Sequence, residues 1–360
     1  MRSRIDLYLL RDAINQLSET TYFSKRLHDY AANVVKAIDY VLTNESDIAP
    51  DILRSFGRHV QRTYVYLAGS TTKEAPYEME YCLAKALDRW VQRDTIITTA
   101  LTNEHDFHLL PADPWGFIKS FLPGFDTQGY DPLLVQLGLP RLYRHKPLYC
   151  LPLYHELGHF VDEQSTVTSL SMVAEPALIA IERLGLGAEY TDEQKQRVES
   201  RHRKEYFSDL FAAAHVGRPS VETLVTIAPS ATASATHPST ADRVELVDIF
   251  LDGRTTPLID LFQQCLTQQD KPALTKIFTL PTMSTAFDDL RPYQTADEPE
   301  LHGTLSAAWT YLNDCLDNRR RPWIRPAMSD ADIERITNDL TEKTIRNASI
   351  RERWTNGATA

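Results

Sequence analysis

Between residues 5 and 42, apolar side chains recur three and four positions apart: Leu10, Ile14 and Leu17, then Val34, Val35, Ile38 and Val41. That spacing follows the α-helical turn, so the stretch predicts two helices packed through these faces. The period changes at "DTIITTALTNEHDFHLLP", residues 94–111. Its β-branched run Ile96–Thr99, the turn-prone Asn103 and the alternation ending at Leu110 predict two short strands, closed by Pro111. Glycine and proline punctuate residues 114–147 ("PWGF", "LPGF", "GLP"), which predicts a loop-rich connection. Helical patterns then resume. One helix starts at Pro147 or Pro152 and runs past Phe160; a second lies within "SLSMVAEPALIAIERLGLG"; a third runs from a Thr191 cap with Gln194 three positions later to Gly217. Pro238 starts a fourth. Residues 251–360 read as polar helices separated by the proline-bearing "LPTMSTAFDDLRPYQTADEP". No internal repeat or low-complexity tract interrupts the chain. The fold class predicted is mainly α with a small β-sheet (α+β).

A chain of 360 residues exceeds the usual single-domain size and can bury one large core or two modest ones. Its four cysteines, Cys82, Cys150, Cys265 and Cys315, are far apart and form no C-x-x-C pair. This argues against a disulfide framework and a cysteine-based zinc knuckle, and it fits a reducing, cytoplasmic setting. The amino-terminal apolar run is broken by Asp6 and Arg11, which makes a poor secretion signal, and no stretch has the length and apolarity of a membrane span. A formal net charge of -11 argues against a nucleic-acid partner, since phosphate binding needs a concentrated basic face.

Chemistry concentrates in "LYHELGHFVDE", residues 153–163. On a helix, His155 and His159 fall on one face one turn apart, so both imidazoles can reach one ion. Glu156 sits about 100° around, near such an ion but not on it. Zinc hydrolysis needs this arrangement: neutral imidazoles hold the metal, an open position keeps a water, and an adjacent carboxylate accepts its proton. Gly158 weakens a helix and is explained if the opposite wall approaches closely.

A third ligand is sought downstream among Glu175, Glu199 and Glu205. Pro176 biases the backbone of Glu175 away from the helical conformation. Glu199 is surrounded by Gln196, Arg197, Ser200, Arg201 and Arg203, which reads as a solvated face. Glu205 instead adjoins Tyr206 and Phe207, shares its side with Asp209, and stands where the helix becomes almost purely apolar. Buried acids need a partner or a metal, so Glu205 is expected on zinc and Asp209 on a ligand histidine. His202, one turn before Tyr206, is the other histidine to watch, whereas His105 and His108 read as ordinary polar strand residues.

A further element is "ATHPSTADRVELV", with His237, Pro238 and Arg243. Together, His-Glu-x-x-His, Glu-x-x-x-Asp and Thr-His-Pro-x-x-x-x-Arg resemble the gluzincin zinc metallopeptidases. The match is closest to the family of the HtpX heat-shock protease and the CAAX prenyl proteases, over about residues 146–252. The resemblance implies a zincin-like core in residues 95–252, with helical regions at 1–94 and 253–360. It implies Zn2+ on His155, His159 and Glu205, Glu156 as general base, Asp209 supporting the ligands, and His237 and Arg243 near the active-site wall. His237 has two open roles, oxyanion stabiliser or structural helix start. An edge strand, here "DFHLLP", would bind an extended protein or peptide substrate. Such family members are typically membrane-embedded and this chain shows no span, so a prenylated substrate does not follow. Zinc-dependent peptide hydrolysis is the function expected. The alternative is a peptidase-like regulatory or sensor protein that uses the cleft as a binding module.

Overall fold

The computed structural model describes residues 2–19, 25–71, 77–103, 106–111, 113–122, 124–179 and 190–357. They are mainly helical with one small sheet, and the chain divides into two compact units: Met1–Glu80 with Val91–Arg144, and Tyr81–Trp90 with His145–Ala360. The strands expected to open the middle segment therefore belong with the amino-terminal helices, and residues 253–360 belong with the His-Glu-x-x-His helix.

The first unit contains α1 (Arg2–Ser18), α2 (Lys25–Thr43) and α3 (Pro50–Gly69); α4 (Tyr77–Asp88) then leads out of it. The expected apolar faces of α1 and α2 meet in one core: Ile14, Val34, Ile38 and Val41 are fully buried there, with Phe56 and Val60 of α3. Strands β1 (Thr95–Thr102) and β2 (His108–Leu109) lie where the alternation placed them. The segment read as a loop-rich connection is corrected. It contains α5 (Pro114–Phe121), whose Trp115 is fully buried, and β3 (Leu133–Pro140). β3 is the central strand, in the order β1-β3-β2. It runs parallel to β1 from Thr95↔Leu133 to Thr102↔Pro140 and antiparallel to β2 at His108↔Gly138. The apolar run "LLVQLGLP" is what a strand buried between two others requires. β2 is an edge strand, as expected of "DFHLLP"; His105 lies outside the described residues.

The second unit holds α6 (Pro152–Ser165), α7 (Val167–Ala174), α8 (Asp192–Val216), α9 (Pro219–Ile227), α10 (Thr240–Leu251), α11 (Pro257–Gln268), α12 (Ser284–Asp288), α13 (Glu298–Asn318) and α14 (Asp330–Gly357). Pro152, rather than Pro147, opens α6, and α10 starts at Thr240 behind a Ser239 cap rather than at Pro238. Of "SLSMVAEPALIAIERLGLG", α7 accounts for the first part, and residues from 180 on lie outside the described residues. α8 begins with the expected capping box: Thr191 and Gln194 each accept the other's backbone N–H. Its second half is almost wholly buried. The carboxy-terminal helices close over it, with Phe262 of α11 edge-on to Phe207 and Ile277 N–H donating to Ala214 at 2.9 Å. No described helix is long and apolar enough to cross a membrane.

Glu199 is corrected. It is 3% exposed, not solvated, and it pairs with the fully buried Arg203 one turn on. Its carboxylate also accepts the backbone N–H groups of Leu178 and Ile179, tying the chain after α7 to α8. Glu199 and Arg203 thus point inward because each partners the other, while Arg197 and Arg201 stay exposed. Glu199→Ala would leave the guanidinium uncompensated in the interior. We expect a loss of about 3–5 kcal/mol, with a smaller loss for Glu199→Gln, both read by urea unfolding.

Candidate metal centre

His155 and His159 leave α6 on one face with ring centroids 4.7 Å apart. Their Nε2 atoms point at one carboxylate on the facing helix: His155 lies 3.3 Å from Oε2 of Glu205 and His159 lies 3.4 Å from Oε1. The three residues can offer ligand atoms that all fall within 4.8 Å of one another. Among the described residues, no other histidine, cysteine and carboxylate group of this kind occurs.

Both separations exceed the roughly 2.9 Å of a good N–H···O bond, and each histidine faces a different oxygen of Glu205. The Nδ1 atoms are engaged elsewhere, His155 with Asp209 Oδ1 at 2.9 Å and His159 with Ser208 Oγ at 3.0 Å. A proton donated from Nδ1 of His155 to Asp209 leaves the Nε2 lone pair for a cation. The residues present are of the kind that could hold a metal ion.

Two features bring the helices to this distance. At Gly158, between the histidines, an added Cβ would lie 2.7 Å from Ser208 Cα. The expected close wall is thus α8 itself, and only glycine admits it. Second, Arg243 of α10 donates twice to Asp209, from Nε and Nη2, each at 2.7 Å, and stands 3.6 Å from Glu205. Burial alone would raise the Asp209 carboxyl; the Arg243 charge overrides it and holds it well below the ordinary range. Glu205 behaves alike, with burial outweighed by the two histidines and Arg243, and falls to about 2.

The rival ligands stand apart. Glu175 is exposed, and Glu199 is committed to Arg203. Glu156, adjacent to His155, is half-buried. His237 comes from the loop before α10, with its side chain 57% exposed and Nε2 3.7 Å from Glu205. His202 has a task the sequence did not specify. Its Nε2 bonds the Ser234 carbonyl at 2.7 Å, and Ser234 Oγ accepts the His237 backbone N–H, so α8 holds the loop that carries His237. Ser208 was missed as well; its only signal is a small residue three positions after Glu205. The ligand side chains keep 11–20% of their surface open, enough for a small molecule to reach them.

Compared with protein-family models, with curated proteins and with solved structures, the chain finds no match. The chemistry is read from the residues alone.

Glu205→Ala is expected to lower zinc affinity by at least roughly 10- to 100-fold, Asp209→Ala less, and Glu175→Ala not at all, by competition against a chelator. Zinc should also displace a proton. Burial opposes charge on His155, but Asp209 and Glu205 outweigh it and raise the metal-free imidazole to about 10. Near pH 7 that proton must leave before Nε2 can ligate, so affinity rises about tenfold per pH unit below the raised value. Calorimetry in buffers of different ionisation enthalpy should count about one proton released. A pH-independent affinity between pH 6 and 8 would contradict the assignment of Nε2.

Proposed function

We propose that this chain is a zinc-dependent metallopeptidase of gluzincin type, similar to the HtpX and CAAX prenyl protease family, that hydrolyses peptide bonds of a protein substrate. One observation carries the reading. Two imidazole Nε2 atoms and a carboxylate converge within 4.8 Å of one another while Asp209 and Ser208 engage the opposite ring nitrogens.

Bound by His155, His159 and Glu205, zinc would supply Lewis acidity toward a water and a peptide carbonyl. The chain's own groups do the remainder. Glu156 follows His155 directly and so stands beside the ligands rather than among them; it accepts the proton of the attacking water and passes it to the leaving amine. Asp209, clamped by Arg243, fixes the His155 ring in one orientation. His237 is exposed on the site's open side, where an N–H donor can stabilise the oxyanion of the tetrahedral intermediate. Retention of Glu156 favours catalysis over a pure binding module, which needs no base.

Glu156→Gln should bind zinc like the wild type and lose hydrolysis, because an amide cannot take the proton. His237→Ala should keep the fold and the metal and lower kcat by roughly 10²-fold. Both are read by metal content measured beside proteome-wide cleavage. Hydrolysis by Glu156→Gln equal to wild type would defeat the mechanism, and zinc binding without any cleavage by the wild type would favour a sensor.

A further inference from the structure

The outer sides of α1 and α3 bound a groove of about 930 Å3 in the first unit. Leu9, Leu10, Ala13, Leu53, Gly57 and Val65 give it an apolar floor. Leu9 is 63% exposed and Val65 46%. Along one wall run Arg54, Arg58 and Arg62, spaced by single turns and all exposed. Arg54 pairs with Asp51 and Arg58 donates to Ser55 Oγ at 3.1 Å, while Arg62 has no acidic partner among the described residues. Asp6 is the one carboxylate of the lining. In a chain with a net charge of -11, such a basic row is local and deliberate.

Gly57 supplies an independent observation. It stands in the middle of a 20-residue helix, where glycine weakens the helix relative to alanine. Its chain neighbours and its own helix's backbone aside, an added Cβ would meet no atom of the described residues within 4 Å. Neither positive φ nor close packing within the chain accounts for it. The space above Gly57 is open, and it lies in the floor of the groove.

We propose that this groove docks an acidic amphipathic helix of a protein partner. Both walls are helices, whose backbone groups are already paired, so no strand edge is offered and the occupant must satisfy its own backbone. A helix does so. Its apolar residues at i, i+3, i+4 and i+7 would seat over Gly57, with carboxylates along one flank meeting Arg58 and Arg62. Concavity disfavours a membrane, which requires a protruding apolar face. The inference is independent of metal binding and hydrolysis.

The test is a displayed library of random helical peptides, selected on the full chain and counter-selected on Gly57→Leu. Enriched sequences should carry the apolar stripe flanked by Glu and Asp. A labelled peptide of that consensus should bind the wild type, and bind roughly tenfold or more weakly to Gly57→Leu and to Arg58→Glu/Arg62→Glu, with affinity falling as salt rises. Gly57→Ala should meanwhile raise the melting temperature by roughly 2–4 °C, because nothing is displaced. If Gly57→Leu fails to fold, the two exposed arginine substitutions carry the test. The proposal is overturned by enriched sequences lacking the pattern, or by equal binding to the arginine variants. It is also overturned by phosphatidylserine vesicles that bind with the same arginine dependence, or by a dimer of the chain that these substitutions dissociate.

Discussion

One buried carboxylate organises the candidate centre. Asp209 lies on the apolar half of α8, 5% exposed, where an ionised acid is costly unless its oxygens are fully used. Arg243 takes both oxygens from α10, and His155 takes one of them from α6. Three helices distant in sequence are thereby fixed to a single group. The arrangement is directional as well as stabilising: a planar guanidinium clamps the carboxylate in one plane, and the carboxylate then sets the plane of the imidazole. The Nε2 lone pair of His155 is aimed as a consequence.

The same logic repeats around this contact. His159 is oriented by Ser208, one residue before Asp209, so α8 aims both histidines while presenting Glu205 between them. His202, a turn earlier on α8, anchors the loop of His237. Arg203 and Glu199 bind the chain that follows α7. Nearly every polar residue on the buried side of α8 therefore holds another segment in place. The carboxy-terminal helices supply support from behind: His302 of α13 bonds the Tyr154 hydroxyl at 3.0 Å, immediately beside His155. Residues outside the candidate centre thus stiffen the helix that carries its two histidines.

Much of this was legible in the sequence, and the failures have physical reasons. Helical spacing located α1 and α2, an opening proline located α6, and the capping box and Gly217 located α8, because those signals are local. His155, His159, Glu205, Asp209 and Arg243 were nominated together, and the structure brings them together. β3 was not legible: its glycine and proline imitate loop punctuation, and its role as a central strand depends on β1 and β2, which composition cannot reveal. Glu199 misled for a related reason. Its neighbours are charged, as on a solvated face, yet Arg203 makes the same charge density compatible with burial. Local composition reports what a residue is beside, not what it faces. That residues 91–144 group with the amino-terminal helices follows from such long-range pairing, since β1 and β3 hold each other across the α5 crossover.

Two helical glycines show how identical sequence signals acquire different meanings. Gly158 and Gly57 each interrupt a good helix and weaken it relative to alanine by about 1 kcal/mol. At Gly158 the reason is internal: the place of a Cβ is taken by Ser208, and without that approach the imidazoles could not meet Glu205. At Gly57 no packing partner comes within 4 Å among the described residues outside its own helix's backbone, so no such contact offsets the weakened helix. A position whose disadvantage is real and whose compensation is not found among the described residues points to an interaction outside the fold. The arginine row beside Gly57 then specifies the charge of that interaction, just as Arg243 beside Asp209 specifies the charge of the buried one.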